Sequence, residues 1–444
     1  MKKLLALLLA ATMVFSMAAC SSSTEEAATT TTATTETSAT EEAAPAEEAA
    51  PTTEADSSSA VDTAATVDAE ADYSDFKIGA ILVHDENSGY DLAHIEGILQ
   101  AVEALGLDAS QVTFKYNIAE DEACYDAAAD LADAGCDIIF SDSYGHQTYM
   151  QQAAIEFPDI TFVACTGDTA AFSGLSNLKN MFPYTYESRY VSGVVAGMKL
   201  AELMESGEVT DPYIGYVGAY PYAEVVSGYT AFFLGVQSIV PEAHMDVQYT
   251  NSWFDLTAEG EAANALISRG CVIIGQHADS TGAPSAVQAA LENGTVAYSV
   301  GYNIDMQSAA PDAALTSAQN VWGVLYTTSM GLAMLGEEIP TDLAMGRSYG
   351  ATTISELSPS CAEGTAEVVE VVWAAIEDGS FNVFDTSTYT VGGETPTSAL
   401  ALDTDGDWVT DTGEAIENGV FYESVWRSAP YFEMRIDGIT ELNG

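Results

Sequence analysis

Basic residues are scarce in this chain of 444 residues, which has 11 Lys and Arg against 67 Asp and Glu. The formal net charge of −56 at pH 7 opposes binding to phosphate backbones, because nucleic-acid affinity depends on Lys and Arg displacing counterions. An anionic membrane surface repels such a chain for the same reason. We therefore expect no nucleic-acid partner.

Cysteine is scarce as well, with 6 residues and no C-x-x-C spacing. Without Cys20 an odd number remains, which indicates neither a disulfide framework nor a zinc site. Apolar neighbours around Cys165 and Cys271 predict buried free thiols. The acidic run at 403–407 lacks the glycine position and the distant glutamate of a calcium loop, so we predict a polar hairpin turn there. We expect no metal and no cofactor.

Two common catalytic motifs are also missing. The sequence has no glycine-rich phosphate loop ending in Gly-Lys-Ser or Gly-Lys-Thr, and no H-E-x-x-H metal site. His277 and Asp279 could form an acid/base pair, but on a loop we interpret the histidine as a ligand contact or a loop brace. Glu187 and Arg189 are interpreted as braces of a hinge. We therefore expect a protein that is not an enzyme.

A short apolar run follows two lysines at the amino terminus. Residues 4–15 are fewer than the roughly 20 needed to span a bilayer, and small residues follow them. This arrangement predicts a cleaved export signal over 1–20. The closing Met-Ala-Ala-Cys resembles the lipobox of bacterial lipoproteins, which implies lipid attachment to Cys20.

Residues 21–72 consist almost entirely of Ser, Thr, Ala, Glu and Pro. Such a segment cannot bury enough apolar surface to form a core, so we interpret it as a disordered tether. The expected location is the extracytoplasmic face of the cell membrane. Contact with the membrane is expected through the lipid anchor only.

Apolar runs alternate with segments of helical periodicity in the rest of the chain. The alternation predicts an α/β fold of parallel sheets covered by helices. Eight apolar runs fall into two sets of four, which meet near 180–187. The predicted strands are 76–83, 112–116, 136–140, 160–165, 213–217, 244–249, 271–275 and 296–300.

Two sets of strands predict two doubly wound, Rossmann-like lobes joined by a hinge. Ligands bind beyond the carboxyl ends of parallel strands, so we expect a cleft between the lobes. After residue 301 the pattern changes, with helices predicted at 320–335 and 362–378 and a short strand at 347–352. The predicted boundaries are 73–187 plus about 307–355 for lobe 1, 188–306 plus about 356–380 for lobe 2, and 381–444 for a hairpin-rich extension.

The loops that follow these strands carry aromatic rings beside neutral or acidic hydrogen-bonding groups, and few cations. Stacking of a base on an aromatic ring contributes about 1 to 3 kcal/mol. Amide and carboxylate side chains can pair with amino groups and ring nitrogens. The loops therefore favour a flat, uncharged heteroaromatic ligand over one with several phosphates.

Several of these segments resemble the basic membrane protein family of lipoproteins. The motifs that carry the resemblance include HDENSGYDLAHIEGI, NSWFD, QHADST and GYNIDM, within residues 75–380. The resemblance implies a substrate-binding protein of an ABC importer with a type I periplasmic-binding-protein fold. It also implies a purine nucleobase or nucleoside as ligand, and it is closest to the branch for free bases such as adenine.

Two positions depart from the nucleoside-binding branch of that family. Its first loop reads Asp-x-Ser-Phe-Asn, where this chain places Tyr90 in the stacking position and Asp91 in that of the Asn. The branch has an Asp in Gly-Val-Asp-x-Asp where this chain has Asn303. Loss of a carboxylate that could hold ribose hydroxyls implies a base without its sugar.

We thus predict a lipid-anchored receptor that closes two lobes on a purine and delivers it to an ABC permease. We expect it to be a monomer. Two alternatives stay open: a surface hydrolase of nucleosides, and a protein of the same fold with a sugar ligand or a sensory role. The candidate ligand-binding residues are Tyr90, Asp91, Tyr144, Asn251, Trp253, Phe254, Asp255, Gln276, Asp279 and Asp305.

Overall fold

The computed structural model describes residues 67, 71–404 and 409–443. The predicted export signal, Cys20 and nearly all of the predicted tether lie outside these residues, as does most of the acidic run at 403–407. Within the part that is described, no helix is both long and apolar enough to cross a membrane.

Strands and helices alternate through the first half of the chain. Strands β1 to β5 are Ile78–Ile81, Val112–Lys115, Ile138–Ser141, Thr161–Cys165 and Leu178–Pro183. Helices α1 to α4 are Gly89–Ala104, Glu122–Asp133, Gln147–Glu156 and Ala170–Ser173. The first four strands match the prediction, whereas β5 forms in the segment that was interpreted as a junction. Each of its six residues is buried, although they include Lys179 and Asn180.

The second half repeats the alternation. Helices α5 to α8 are Thr185–Ser206, Ala223–Ile239, Leu256–Arg269 and Gly282–Glu292. Strands β6 to β10 are Tyr213–Gly218, His244–Tyr249, Ile273–His277, Tyr298–Tyr302 and Ala314–Asn320.

The chain then returns to both lobes. Helix α9 spans Trp322–Leu335, strand β11 spans Asp342–Met345, strand β12 spans Thr352–Ile354 and helix α10 spans Thr365–Glu377. The strand predicted at 347–352 is instead a 3-10 turn with a strand on either side. The extension adds strands β13 to β17, which are Leu400–Leu402, Thr412–Glu414, Ile416–Glu417, Val420–Phe421 and Ile439–Glu441.

Two separate sheets define the lobes. Lobe 1 has the order β11-β5-β4-β3-β1-β2, and all its pairs are parallel. Lobe 2 has the order β12-β10-β9-β8-β6-β7-β17, in which only the pair of β12 with β10 is antiparallel. The extension also forms two small antiparallel hairpins, β13–β14 and β15–β16.

The boundary predicted at about 307 differs from the structure. Strand β10 pairs with β9, with Ala318 opposite Tyr302, so the chain stays in lobe 2 up to Asn320. Strand β12 also belongs to lobe 2, and only α9 and β11 return to lobe 1. The buried strand β10 contains Thr, Ser, Gln and Asn, which concealed it from a search for apolar runs. The chain thus crosses between the lobes after β5, after β10 and between β11 and β12.

Helices α5 and α6 approach each other closely in lobe 2. A Cβ atom on Gly193 would lie 2.0 Å from the carbonyl oxygen of Phe232, and one on Gly235 would lie 2.1 Å from that of Tyr190. Only glycine fits at such a backbone contact. The thiols of Cys124, Cys136, Cys165 and Cys271 are free and buried, as predicted, and that of Cys361 is free and half-buried.

Candidate functional site

A cavity lies between the two lobes, with about 340 Å³ of space that no atom fills and that is partly open to solvent. Its walls come from the carboxyl ends of the strands, where a parallel sheet is expected to bind ligands. Lobe 1 contributes Val83, Tyr90, Asp142, Ser143, Tyr144 and Thr166. Lobe 2 contributes Glu224, Trp253, His277, Asp279 and Tyr302. Among the described residues that line this cavity there is no Lys and no Arg.

Tyr90 is held in the first turn of α1. Ser88 caps this helix by accepting a hydrogen bond from the backbone N–H of Asp91. The hydroxyl of Tyr90 donates to the carbonyl oxygen of Asp142 and lies 2.9 Å from Oγ1 of Thr166. Both contacts are to loops that follow other strands of lobe 1. The ring is therefore fixed in the cavity wall before any ligand arrives.

Four aromatic rings form a row whose two end members, Trp253 and Tyr144, line the cavity, and we call it the aromatic row. The ring centroids of Trp253 and Tyr220 are 5.2 Å apart, and those of Tyr220 and Tyr222 are 5.1 Å apart. Tyr222 in turn lies 5.9 Å from Tyr144 of lobe 1. The row therefore joins the two lobes.

Arg189 lies behind the cavity rather than in it. Its guanidinium carbon is 3.6 Å from the centroid of the Tyr302 ring, and its Nη1 donates to the carbonyl oxygen of Gln276 over 2.7 Å. The cation is 2% exposed. These contacts lie within lobe 2, so Arg189 supports the floor of the cavity and not the hinge for which it was predicted.

Glu224 and His277 are in contact in the cavity wall. Oε1 of Glu224 is 3.2 Å from Nε2 of His277. Burial raises the pKa of Glu224 to about 7 and lowers the pKa of His277 well below its ordinary value. Since the ring is neutral, the contact is a hydrogen bond and not an ion pair.

Two further carboxyl groups of the cavity are also shifted toward the neutral form. Burial raises the pKa of Asp142 well above its ordinary value, and the nearby charge of Asp91 adds to the shift. Burial likewise raises the pKa of Asp279, with a further contribution from Glu259. A cavity of this kind offers both donors and acceptors without a fixed charge. It therefore suits an uncharged ligand.

Four of the ten predicted ligand residues line the cavity: Tyr90, Tyr144, Trp253 and Asp279. Asp91 is fully buried behind it, where its Oδ1 accepts a hydrogen bond from the backbone of His84. Burial alone would raise the pKa of Asp91, but hydrogen bonds from His84 and Ser88 outweigh it and lower that pKa.

The other five are placed away from the cavity wall. Asp255 caps helix α7 and Gln276 donates to carbonyl oxygens of its own loop. Asp305 caps a 3-10 turn, and Asn251 is exposed. The ring of Phe254 is half-buried beside His84, with 5.7 Å between centroids.

Sequence reasoning omitted seven lining residues from the candidate set. Most of them lie on the same strand-end loops as the residues that were chosen, so the position in the loop was the usable signal. Glu224 lies in the first turn of α6, where its acidity matched an ordinary helix start. The omitted residues are Val83, Asp142, Ser143, Thr166, Glu224, His277 and Tyr302.

One G-x-S-x-G pattern, at 346–350, matches the nucleophile elbow of hydrolases. In the structure its centre is a 3-10 turn between β11 and β12, not a strand-to-helix elbow. Glu187 accepts hydrogen bonds from the backbone of Arg347 and from Oγ1 of Thr352 at this crossing between lobes. Burial raises the pKa of Glu187 to about 7. The pattern therefore belongs to the hinge.

Two α/β lobes of mostly parallel strands, with three crossings and a cavity at their strand ends, define the type I periplasmic-binding-protein fold. A solved solute-binding protein of an ABC transporter from Aeropyrum pernix has a TM-score of 0.59 at 16% identity, with coverage of 72% of this chain and 94% of that protein. This similarity concerns the fold alone.

The chain belongs to the Bmp family, described as ABC transporter substrate-binding protein PnrA-like, whose family model matches residues 82–351. It is 33% identical over 312 residues to a purine-binding protein of Brucella abortus, with coverage of 69% of this chain and 83% of the relative. A Haloferax volcanii protein, provisionally named an ABC transporter glucose-binding protein, is 31% identical, with coverage of 58% and 61%. Members of this family bind small molecules outside the cytoplasm for a permease and are not enzymes. The alternative of a surface nucleoside hydrolase is therefore wrong.

Proposed function

We propose that this protein captures a purine nucleobase, such as adenine, between its lobes and delivers it to an ABC permease. The observation that carries this proposal is the lining of the cavity. Aromatic rings on both lobes stand beside carboxyl and imidazole groups that are mostly neutral, and no cation lines it among the described residues. Such a lining suits a flat, uncharged ring with donor and acceptor edges.

The residue that follows β9 favours a free base over a nucleoside. The amide of Asn303 is already bonded to Asp279, and it is not a carboxylate that could hold ribose hydroxyls.

We assign the ligand contacts from the cavity lining. Tyr90 and Trp253 stack against the ring, and Tyr302 forms the floor. Asp142, Glu224 and Asp279 bond the polar edges. Six of the predicted residues make no direct contact with the ligand in this assignment. Asp91 and Gln276 shape loops behind the site, and Asp255 and Asp305 cap helical turns. Asn251 and Phe254 lie outside the cavity lining.

Ligand entry requires the lobes to separate. The backbone N–H of Gly89 in lobe 1 donates to the carbonyl oxygen of Asp279 in lobe 2 over 3.2 Å, so the lobes are in contact at the cavity. The three crossings form the hinge, and opening by rotation about a few loop residues is the usual motion for two lobes of this kind.

The same proposal includes a lipid anchor on Cys20 that keeps the protein beside its permease. The lipobox-like Met-Ala-Ala-Cys and the polar segment that follows it support this anchor. Two results would contradict this anchor. One is recovery of the Cys20→Ser variant in the membrane fraction, and the other is wild-type protein that incorporates no labelled fatty acid.

Calorimetric titration of protein that has been unfolded and refolded to remove carried ligand tests the ligand assignment. Adenine, guanine and hypoxanthine are compared with adenosine and with glucose. We expect the bases to bind and the sugar not to bind. Binding of glucose alone would favour a sugar as the ligand, as in the name of the Haloferax volcanii relative.

A further inference from the structure

The C-terminal extension is attached to lobe 2 at several points. Strand β17 pairs in parallel with β7, and Glu423 accepts hydrogen bonds from the hydroxyl of Ser227 on α6 and from the backbone of Tyr431 and Phe432. Burial raises the pKa of Glu423 to about 7. These contacts fix the residues on both sides of the loop at 424–430.

The same loop reaches across to lobe 1. Nη1 of Arg427 lies 2.5 Å from Oδ2 of Asp168, and both side chains are about nine-tenths buried. The backbone N–H of Ser428 donates to Oδ1 of Asp342 over 2.8 Å. The extension thus places a buried cation against the loop that follows β4.

Asp168 connects this cation to the cavity. Its Oδ2 atom also accepts a hydrogen bond from the hydroxyl of Tyr144 over 2.8 Å. The backbone N–H of Asp168 donates to Oε1 of Gln147 over 2.7 Å, which fixes the loop itself. Tyr144 lines the cavity and ends the aromatic row in lobe 1. Arg427 is therefore two contacts away from the ligand space.

We propose that Arg427 is a positioning residue for the ligand site: it holds Asp168, which in turn holds the Tyr144 ring in the cavity wall, so the extension is a working part of the site. This inference rests on the proposed function, since it concerns the same cavity. It assigns a role to a segment beyond residue 351, where the match to the family ends.

The physical reason is the cost of an unpaired buried charge. Removing one partner of a buried ion pair leaves the other charge uncompensated, which is strongly unfavourable. In a chain with 67 acids and 11 bases, a replacement cation is rare. Without Arg427 the carboxylate of Asp168 moves toward solvent, and the hydroxyl of Tyr144 loses its acceptor.

The test compares Arg427→Gln, Arg427→Lys, Tyr144→Phe and the double variant Arg427→Gln/Tyr144→Phe by titration with adenine. Arg435→Gln is the matched control, because Arg435 pairs with Glu441 over 3.0 Å within the same extension but on the lobe 2 side. Melting temperatures are measured for every variant without ligand.

We expect Arg427→Gln to raise the Kd for adenine about tenfold, which corresponds to about 1.4 kcal/mol. Arg427→Lys should recover part of this loss, and Arg435→Gln should bind as wild type does. The double variant should bind no more weakly than the weaker single variant, because both changes act through the same hydroxyl.

Two results would overturn the inference while leaving the proposed function intact. One is wild-type affinity in Arg427→Gln, even with a lowered melting temperature, which would make the contact purely structural. The other is additivity of the two changes. If Arg427→Gln does not fold, Arg427→Lys with and without Tyr144→Phe gives the same comparison. Wild-type protein that binds no purine would instead refute the proposed function itself.

Discussion

The side-chain amide of Asn303 donates a hydrogen bond from Nδ2 to Oδ1 of Asp279 over 3.1 Å. Asn303 follows β9 directly with a φ of +61°, a left-handed conformation that Asn tolerates better than most residues. Asp279 lines the cavity, whereas Asn303 is buried behind it. The amide therefore fixes a cavity carboxyl group from the rear.

Replacing this amide by a carboxyl group tests its role. Asn303→Asp places a second carboxyl beside Asp279, and two carboxylates at that distance repel each other when both are ionised. We expect the Kd for adenine to rise about tenfold at about pH 8, and to recover in part at about pH 5 where the pair retains a proton. Asn303→Gly, which suits the positive φ and adds no charge, should show no such pH dependence. Adenosine binding that improves in Asn303→Asp would instead indicate a ribose contact at this position.

Trp253 and Phe254 are adjacent in the chain but differ in their position relative to the cavity. Trp253 lines the cavity and Phe254 does not. Trp253→Ala should raise the Kd for adenine about 5- to 150-fold, the equivalent of about 1 to 3 kcal/mol of lost stacking. Phe254→Ala is the matched control and should change the Kd much less. Equal losses in the two titrations would show that the ring lies elsewhere in the cleft.

The raised pKa of Glu224 predicts how the stability of the ligand-free protein depends on pH. Its pKa of about 7 exceeds the ordinary value of 4.5, so the folded state retains a proton that the unfolded state releases. The free energy of unfolding therefore falls as the pH rises from about 4.5 to about 7.

Glu224→Gln should make that fall shallower by about 1 to 3 kcal/mol, measured by urea unfolding across the pH range. The fall should not vanish, because burial also raises the pKa values of Glu187, Glu259 and Glu423 to about 7. Glu103→Gln, at an exposed position, is the control. An identical slope in Glu224→Gln and wild type would mean that Glu224 is charged in the folded state throughout.

The contact of α5 with α6 gives a prediction about packing. Gly193→Ala would place a methyl group against the backbone of the other helix, and we expect it to destabilise the protein by about 1 to 3 kcal/mol or more. Gly260→Ala is the control, because its nearest neighbouring atom is 3.4 Å away and alanine favours a helix interior by about 0.5 to 1 kcal/mol. Urea unfolding of both variants should give changes of opposite sign.

Alternation of apolar runs and helical segments predicted the two lobes, because each buried parallel strand requires a covering helix. It did not reveal β5 or β10, since both are buried yet carry polar side chains such as Lys179 and Thr316. Burial of such residues depends on partners that are distant in the chain, as with Asn180 and Asp342.

The candidate site was predicted at the level of loops and less well at the level of side chains. Tyr90 and Trp253 were found because aromatic rings at strand ends are conspicuous. Asp255 has the same residue type as Asp279, but its carboxylate caps helix α7 and so is already used. Direction of a side chain within a loop is set by such local hydrogen bonds, which a residue pattern does not display.

Strand β17 has a consequence for association between copies of this protein. It lies along the outer side of β7, with Ile439 opposite Met245, and supplies hydrogen bonds to a backbone that would otherwise face solvent. An unpaired strand at the margin of a sheet is a template for another chain. Loss of the residues around 439–441 would therefore leave β7 as an exposed edge strand of lobe 2. We expect such a truncated protein to aggregate before its affinity for the ligand falls.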